Sequence, residues 1–173
     1  MKKGLLLLTL SLMTTSIFAQ PNLKEHKAGH IFYVSLPDYM SRTIGLNSAS
    51  IIQYKSTVKD VYGFIIEDSK DDLKLADMEF SSINEFHENF MKGFLIDQEK
   101  RIVSKPKFKQ EGDISFAESD LTYYDKDVKG EIYYLIGIVE TKSAFYKVLS
   151  WSTVENKDKF KADFQKIIYS LRD

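Results

Sequence analysis

Three histidines have the most chemical reach in this chain, and their spacing decides what each can do. His26 and His30 stand four apart, a separation that would bring two imidazoles onto one helical face for a metal. Gly29 lies between them and an apolar, β-branched run begins at Ile31, so no helix is expected there and no third ligand completes a set. His87 sits beside an apolar helical stripe, which predicts a histidine at the edge of a core. Asp68, Asp71, Asp72, Asp77 and Glu79 carry charge enough for Ca²⁺, but they lack the glycine-at-six, glutamate-at-twelve spacing of a calcium loop. Lys70 and Lys74 dilute that charge, so residues 68–79 read as a solvated loop with no metal.

Nucleophilic chemistry finds less support. The chain has no Cys, no G-x-S-x-G elbow, no phosphate-cradling G-x-x-x-x-G-K-[ST] loop and no G-x-G-x-x-G fingerprint. A pair of carboxylates working as acid and base remains as the enzymatic alternative, with Glu118 and Asp120 alternating on one face of a strand and Glu85 and His87 as candidate neighbours. Tyr123, Tyr124, Tyr133 and Tyr134 flank a single loop, where they either line a ligand groove or pair across strands; the structural pairing is the expectation. Lys105, Lys107 and Lys109 alternate on one face of an extended segment and read as a solvated edge strand, because Pro106 removes a ladder donor. No cofactor is expected.

The elements that must carry these groups follow from hydrophobic period. Extended runs are predicted at 31–36, 51–54, 61–66, 105–109, 114–124, 132–139 and 144–151, with a bulge in the fifth and the sixth apolar on both faces. Pro37 and Asp38 end the first run, and 125–130 forms a polar hairpin loop. Ser82 and Glu85 form a capping box ahead of Ile83, Phe86, Phe90 and Phe94, a helical stripe that stops at Gly93 or runs to about Gln98. Asn156 caps a second helix with Phe160, Phe164, Ile167, Ile168 and Leu171 on one face and a Lys159–Asp163 pair on the outer one. The class is α+β: a mainly antiparallel sheet of about six or seven strands in the order β-β-β-α-β-β-β-β-α, with two amphipathic helices packed on it.

The first residues have the pattern of a Sec signal peptide. Lys2 and Lys3 precede an uncharged run from Gly4 to Met13, and the small Ala19 suits cleavage before Gln20. The apolar run is shorter than the roughly 20 residues a membrane span needs, so 20–173 is expected to be a single exported domain with no membrane span after cleavage. Without the two leader lysines it holds 22 basic and 25 acidic residues, which offers nucleic acid no global attraction. With no Cys to form disulfides or take a lipid, stability must come from packing, and 12 Phe, 10 Tyr and 1 Trp supply the material.

In this order of elements the chain resembles the PsbP-like superfamily, and most of all its exported bacterial members. The resemblance is carried by Phe32 to Tyr39 (FYVSLPDY), by Phe80 to Phe86 (FSSINEF), and by an ending in which Tyr146 to Trp151 leads to Phe160, Phe164, Ile167, Ile168 and Leu171. It spans nearly the whole of 20–173. The resemblance implies a non-enzymatic module that binds other proteins and assigns no site residues. The function expected is that of an exported accessory module in the cell envelope whose partner is an envelope protein or a small ligand.

Overall fold

The computed structural model describes residues 21–29 and 31–173; the leader at 1–19 and His30 lie outside them. Five strands come first: β1 (Leu23–Ala28), β2 (Phe32–Pro37), β3 (Ser41–Thr43), β4 (Ile52–Ser56) and β5 (Val61–Ser69). Helices α1 (Lys70–Leu75) and α2 (Ile83–Gly93) follow. Then come β6 (Glu99–Val103), β7 (Lys107–Glu111), β8 (Ile114–Asp125), β9 (Gly130–Glu140), β10 (Ala144–Thr153) and α3 (Lys157–Ser170). The class is α+β. Strands β3 to β10 form one antiparallel sheet of eight, ordered β3-β4-β5-β10-β9-β8-β6 with β7 also on β8, while β1 and β2 make a separate ribbon.

Strand period assigns every side chain to one of two faces. On the first face, Phe160, Phe164, Ile167 and Ile168 of α3 pack with Tyr133, Leu135 and Val139 of β9 and Tyr146 and Val148 of β10, all buried. The ribbon lies beside α3 on this face, where Phe32 meets Tyr146 edge-on at 4.9 Å. On the second face α2 buries Phe86 against Phe145, the rings stacked at 4.3 Å, and Met91 against the Leu121–Ile136 region. β9 is covered on both sides, which is why its sequence is apolar at successive residues.

Two glycines set how closely these layers approach. A Cβ at Gly137 would fall within 2.5 Å of Ile168, so α3 rests directly on the backbone of β9. A Cβ at Gly63 would fall within 2.3 Å of the fully buried Tyr54 ring, whose hydroxyl bonds to Ser150 at 2.8 Å. The chain ends are tied into the same layer. Tyr33 and Arg172 exchange both backbone hydrogen bonds, at 2.7 and 3.1 Å, and Asp173 Oδ2 accepts the Thr141 and Ser143 hydroxyls at 2.6 Å each.

Several sequence expectations need correction. The lead-in before residue 30 contains a strand, β1, whose polar side chains are mostly exposed because only one side of the ribbon faces protein. Residues 68–79 are not one solvated loop: β5 continues to Ser69, the Ser69 hydroxyl caps α1 by accepting from Asp72 N, and Asp68 pairs with Lys147 at 2.6 Å. The capping box is offset by one. Ser82 Oγ accepts from Glu85 N at 3.3 Å, but Glu85 Oε2 takes both the N–H and the hydroxyl of Ser81 at 2.8 Å. α2 ends at Gly93, and Arg101 donates to the freed carbonyls of Met91 and Phe94, which accounts for the unanticipated β6 running beside the helix end. The irregularity expected in β8 lies in β6 instead, between Glu99 and Ile102; β8 pairs with β9 without a break. Asn156 makes no side-chain cap, its amide donating back to Thr153, because a 3₁₀ turn over Val154–Asn156 already leads into α3. The Lys159–Asp163 pair does not form; Asp163 pairs instead with Lys166 at 3.1 Å.

Candidate functional site

Asp163 becomes intelligible from the cleft beneath it. The turn after β2 brings Tyr39 against α3, and its hydroxyl donates to Asp163 Oδ2 at 2.9 Å; Lys166 Nζ donates to Oδ1 at 3.1 Å. Burial, and then the adjacent Asp163 carboxylate, raise the Tyr39 phenol well above its ordinary value, so it stays protonated. Lys59, from the β4–β5 turn, holds its ammonium 3.7 Å from the centre of the Tyr39 ring. These groups line a half-open cleft of about 940 Å³ between α3, the β2–β3 turn and the start of β1. Its floor is Phe160 and the paired Tyr39–Asp163–Lys166 set; its exposed rim carries Ala162, with Lys59 and Lys159 against Asp38 and Asp158. Among the described residues none of those four rim charges takes part in an ion pair.

The carboxylates singled out in the sequence are dispersed. Glu118 and Asp120 do share a face of β8, the face under α3. Glu118, 3% exposed, accepts from Gln165 Nε2 at 2.9 and 3.1 Å and from the Tyr169 hydroxyl at 2.9 Å. Asp120 accepts from Lys161 Nζ at 2.7 Å and from the Tyr133 hydroxyl at 2.7 Å. Burial works against its charge, but these two donors hold the Asp120 carboxyl below the usual range. Glu85 and His87 lie on α2 across the sheet, so the four do not meet. His87 is buried, Nε2 to Ser119 Oγ at 2.9 Å, and its Nδ1 has no partner among the described residues. Burial lowers its pKa, partly offset by Glu88. His26 is on β1, an extended segment; the other half of that pair, His30, is outside the described residues. Among the described residues no group of three or more His, Cys, Asp or Glu side chains is placed to hold a metal ion.

The tyrosines divide between the two faces. Tyr133 turns toward α3, with Asp120 and a stacked Phe164. Tyr134 and Tyr123 turn the other way and join Trp151 and Tyr62 in a row across four strands: Tyr62–Trp151 at 5.5 Å, Trp151–Tyr134 at 5.2 Å and Tyr134–Tyr123 at 6.2 Å. Of the four tyrosines expected to pair across strands only Tyr123 and Tyr134 do so, in a row extended by two further rings, while the Tyr124 ring lies under the Lys100 ammonium at 5.1 Å. Beside it, beyond the end of α2, is a second hollow of about 300 Å³. The α3 cleft was not legible in the sequence, because Tyr39, Lys59 and Asp163 share no local motif; the second hollow lies at the 125–130 loop where a tyrosine groove was the alternative, but of the four tyrosines only Tyr123 lines it.

An eight-stranded antiparallel sheet covered by α3 and a β-ribbon on one side and α2 on the other is the PsbP-like fold. The solution structure of cyanobacterial PsbP (CyanoP) from Synechocystis sp. PCC 6803 matches with a TM-score of 0.63 at 12% identity, covering 93% of this chain and 98% of that one. The crystal structure of LpqN, described as involved in cell envelope biogenesis of Mycobacterium tuberculosis, matches with a TM-score of 0.58 at 9% identity, covering 87% of this chain and 89% of that one. No protein-family model and no curated protein sequence matches the chain. Among the described residues no helix is long and apolar enough to cross a membrane.

Proposed function

We propose that the protein is an exported, non-catalytic accessory module of the bacterial cell envelope, released by cleavage before Gln20, that engages an envelope protein or small ligand through the α3 cleft. The observation that carries this reading is how charge is distributed there. The titratable groups on the floor are spent on one another, Tyr39 and Lys166 both on Asp163, and the Tyr39 phenol is held protonated. Proton transfer needs a group poised to change state near neutral pH, and the Tyr39 phenol, raised by burial, is not one. Among the described residues the rim's two ammonium groups and two carboxylates form no ion pair, the ammonium groups resting on the Tyr39 and Phe160 rings, an arrangement that gives orientation and specificity in recognition. The leader pattern and a fold shared with an envelope-biogenesis protein support the location.

The test is photo-crosslinking in the producing cell, with the crosslinker placed at Lys59 or Lys159 on the rim and at Lys74 on α1 as control. A discrete adduct is expected from the rim positions and not from Lys74, and it should weaken with Asp158→Lys. Equal labelling from all three positions, or none, would count against the cleft. Turnover in a broad hydrolase screen that vanished in Glu118→Gln would overturn the non-catalytic reading.

A further inference from the structure

The sheet has an open edge along β7. β6 and β7 lie end to end on the same side of β8, and among the described residues no strand pairs with the outer side of β7. Every residue of β7 is exposed, and even Phe108 is 52% exposed. Two residues, Gly112 and Asp113, join β7 to β8, so Glu111 and Ile114 close the hairpin as a hydrogen-bonded pair. Such pairs recur at every second residue, at Lys109 with Phe116 and at Lys107 with Glu118. The N–H and C=O groups of Phe108 and Gln110 therefore point away from β8, and among the described residues they have no other backbone partner.

The side chains on this edge select what can pair with it. Lys107 and Lys109 share one face of the strand and Phe108 takes the other. Lys109 is paired with Glu111 and rests on the Tyr169 ring at 4.4 Å. Lys105 and Lys107 form no ion pair among the described residues. Residues 99–111, which make up the edge, carry five basic and two acidic side chains, whereas 20–173 as a whole holds 22 and 25. That local excess repels a second copy of the same edge, a common protection against self-pairing. It attracts an acidic strand, whose alternate carboxylates would lie opposite Lys107 and Lys109 while an apolar side chain between them covered Phe108.

We propose that the β7 edge binds an extended acidic segment of a partner polypeptide as an added strand, its backbone bonded to Phe108 and Gln110 and its carboxylates set on Lys107 and Lys109. None of these residues lines the α3 cleft, and the inference stands whether or not the cleft reading holds.

The protein is titrated with acetyl-TEVEVET-amide, in which glutamate and valine alternate, and with acetyl-TEEEVVT-amide, which keeps the composition and breaks the alternation. Amide hydrogen exchange, read residue by residue by NMR, should slow at Phe108 and Gln110 with the first peptide and change little at Lys107 and Lys109, which are already in the ladder. The Kd should be on the order of millimolar for so short a strand, weakening as salt screens the charges. Lys107→Glu lies at an exposed position and should weaken binding about ten-fold. Gln110→Pro removes an outward N–H and leaves the β7–β8 ladder intact; it should weaken binding about five-fold. Vesicles of phosphatidylglycerol present the same charge without a backbone. Binding to vesicles alone, lost in Lys107→Glu and kept in Gln110→Pro, would assign the lysines to a membrane surface and overturn the proposal. So would unchanged exchange at Phe108 and Gln110, equal affinity for the two peptides, or binding unchanged in both variants.

Discussion

Gly137 occupies the middle of β9, and a Cβ built there would lie 2.5, 2.6 and 2.9 Å from Cγ1, Cδ1 and Cγ2 of Ile168. Favourable carbon–carbon contact begins at about 3.5 Å, so in Gly137→Ala the isoleucine must withdraw by roughly 1 Å. It has no free space, being fully buried. Nor can α3 tilt freely, because Gln165 is bonded to Glu118 and the Ser170 hydroxyl accepts from Ser35 N at 2.8 Å. Overpacking of this kind costs about 1–3 kcal/mol, offset by the roughly 0.5–1 kcal/mol recovered when glycine leaves a strand interior. The expected net loss is about 1–2 kcal/mol, or about 2–8 °C in midpoint for a domain of this length. Urea denaturation followed by circular dichroism and by Trp151 fluorescence measures it. Native emission should not change, because Trp151 lies on the opposite face of the sheet. Ile168→Ala removes all three clashing carbons; alone it should cost about 2–5 kcal/mol, but combined with Gly137→Ala it should cost less than the sum, by at least about 0.5 kcal/mol. Full stability in Gly137→Ala, or strict additivity in the pair, would refute the close-approach argument.

Two further perturbations probe the polar interior. His87 is held neutral, its pKa depressed by burial, so its contribution is complete above the ordinary value of 6.5 and is lost as pH falls below 6.5 toward the depressed folded value. The urea midpoint should fall across that window, and the fall should shrink in His87→Leu/Ser119→Ala, which removes both polar partners together. Tyr39→Phe leaves Asp163 Oδ2 without its donor in the cleft floor and should cost about 1–3 kcal/mol. Equal urea midpoints for the variant and its parent would mean that water replaces the phenol.

Where one face of an element repeats, the sequence was readable. The stripe from Phe160 to Leu171 is buried at every position read from it, and the two-sided strand at 132–139 lies where its unbroken apolar run placed it, covered on both faces. Elements whose stabilisation is mostly backbone pairing escaped notice. β1 and β6 expose most of their side chains, so no apolar period marks them. The cap at Asn156 and the Lys159–Asp163 pair misled because other partners took each group: the Asn156 amide donates to Thr153 within a 3₁₀ turn, and Asp163 takes Lys166 one turn on and Tyr39 from the β2–β3 turn. Glu118 and Asp120 were correctly placed on one strand face, but only the packing of α3 revealed that their neighbours are Gln165, Tyr169, Lys161 and Tyr133 rather than Glu85.

The exchange of backbone hydrogen bonds between Tyr33 and Arg172, together with the Ser35–Ser170 contact spanning 135 residues, has a bearing on the order of folding. The β3–β4–β5 and β8–β9–β10 meanders can each assemble from neighbouring hairpins, but β5 must still find β10 across the chain and the β1–β2 ribbon has nothing to seal against until α3 has formed. Closing a loop of that length is entropically slow, so the ribbon and α3 should dock late and together. Until then Phe32, Val34 and Leu36 of the ribbon and the aromatic face of the sheet stay open to solvent. A chain halted just before residue 157 would therefore present a nearly complete sheet with one unsealed face, the state most exposed to aggregation and to proteases.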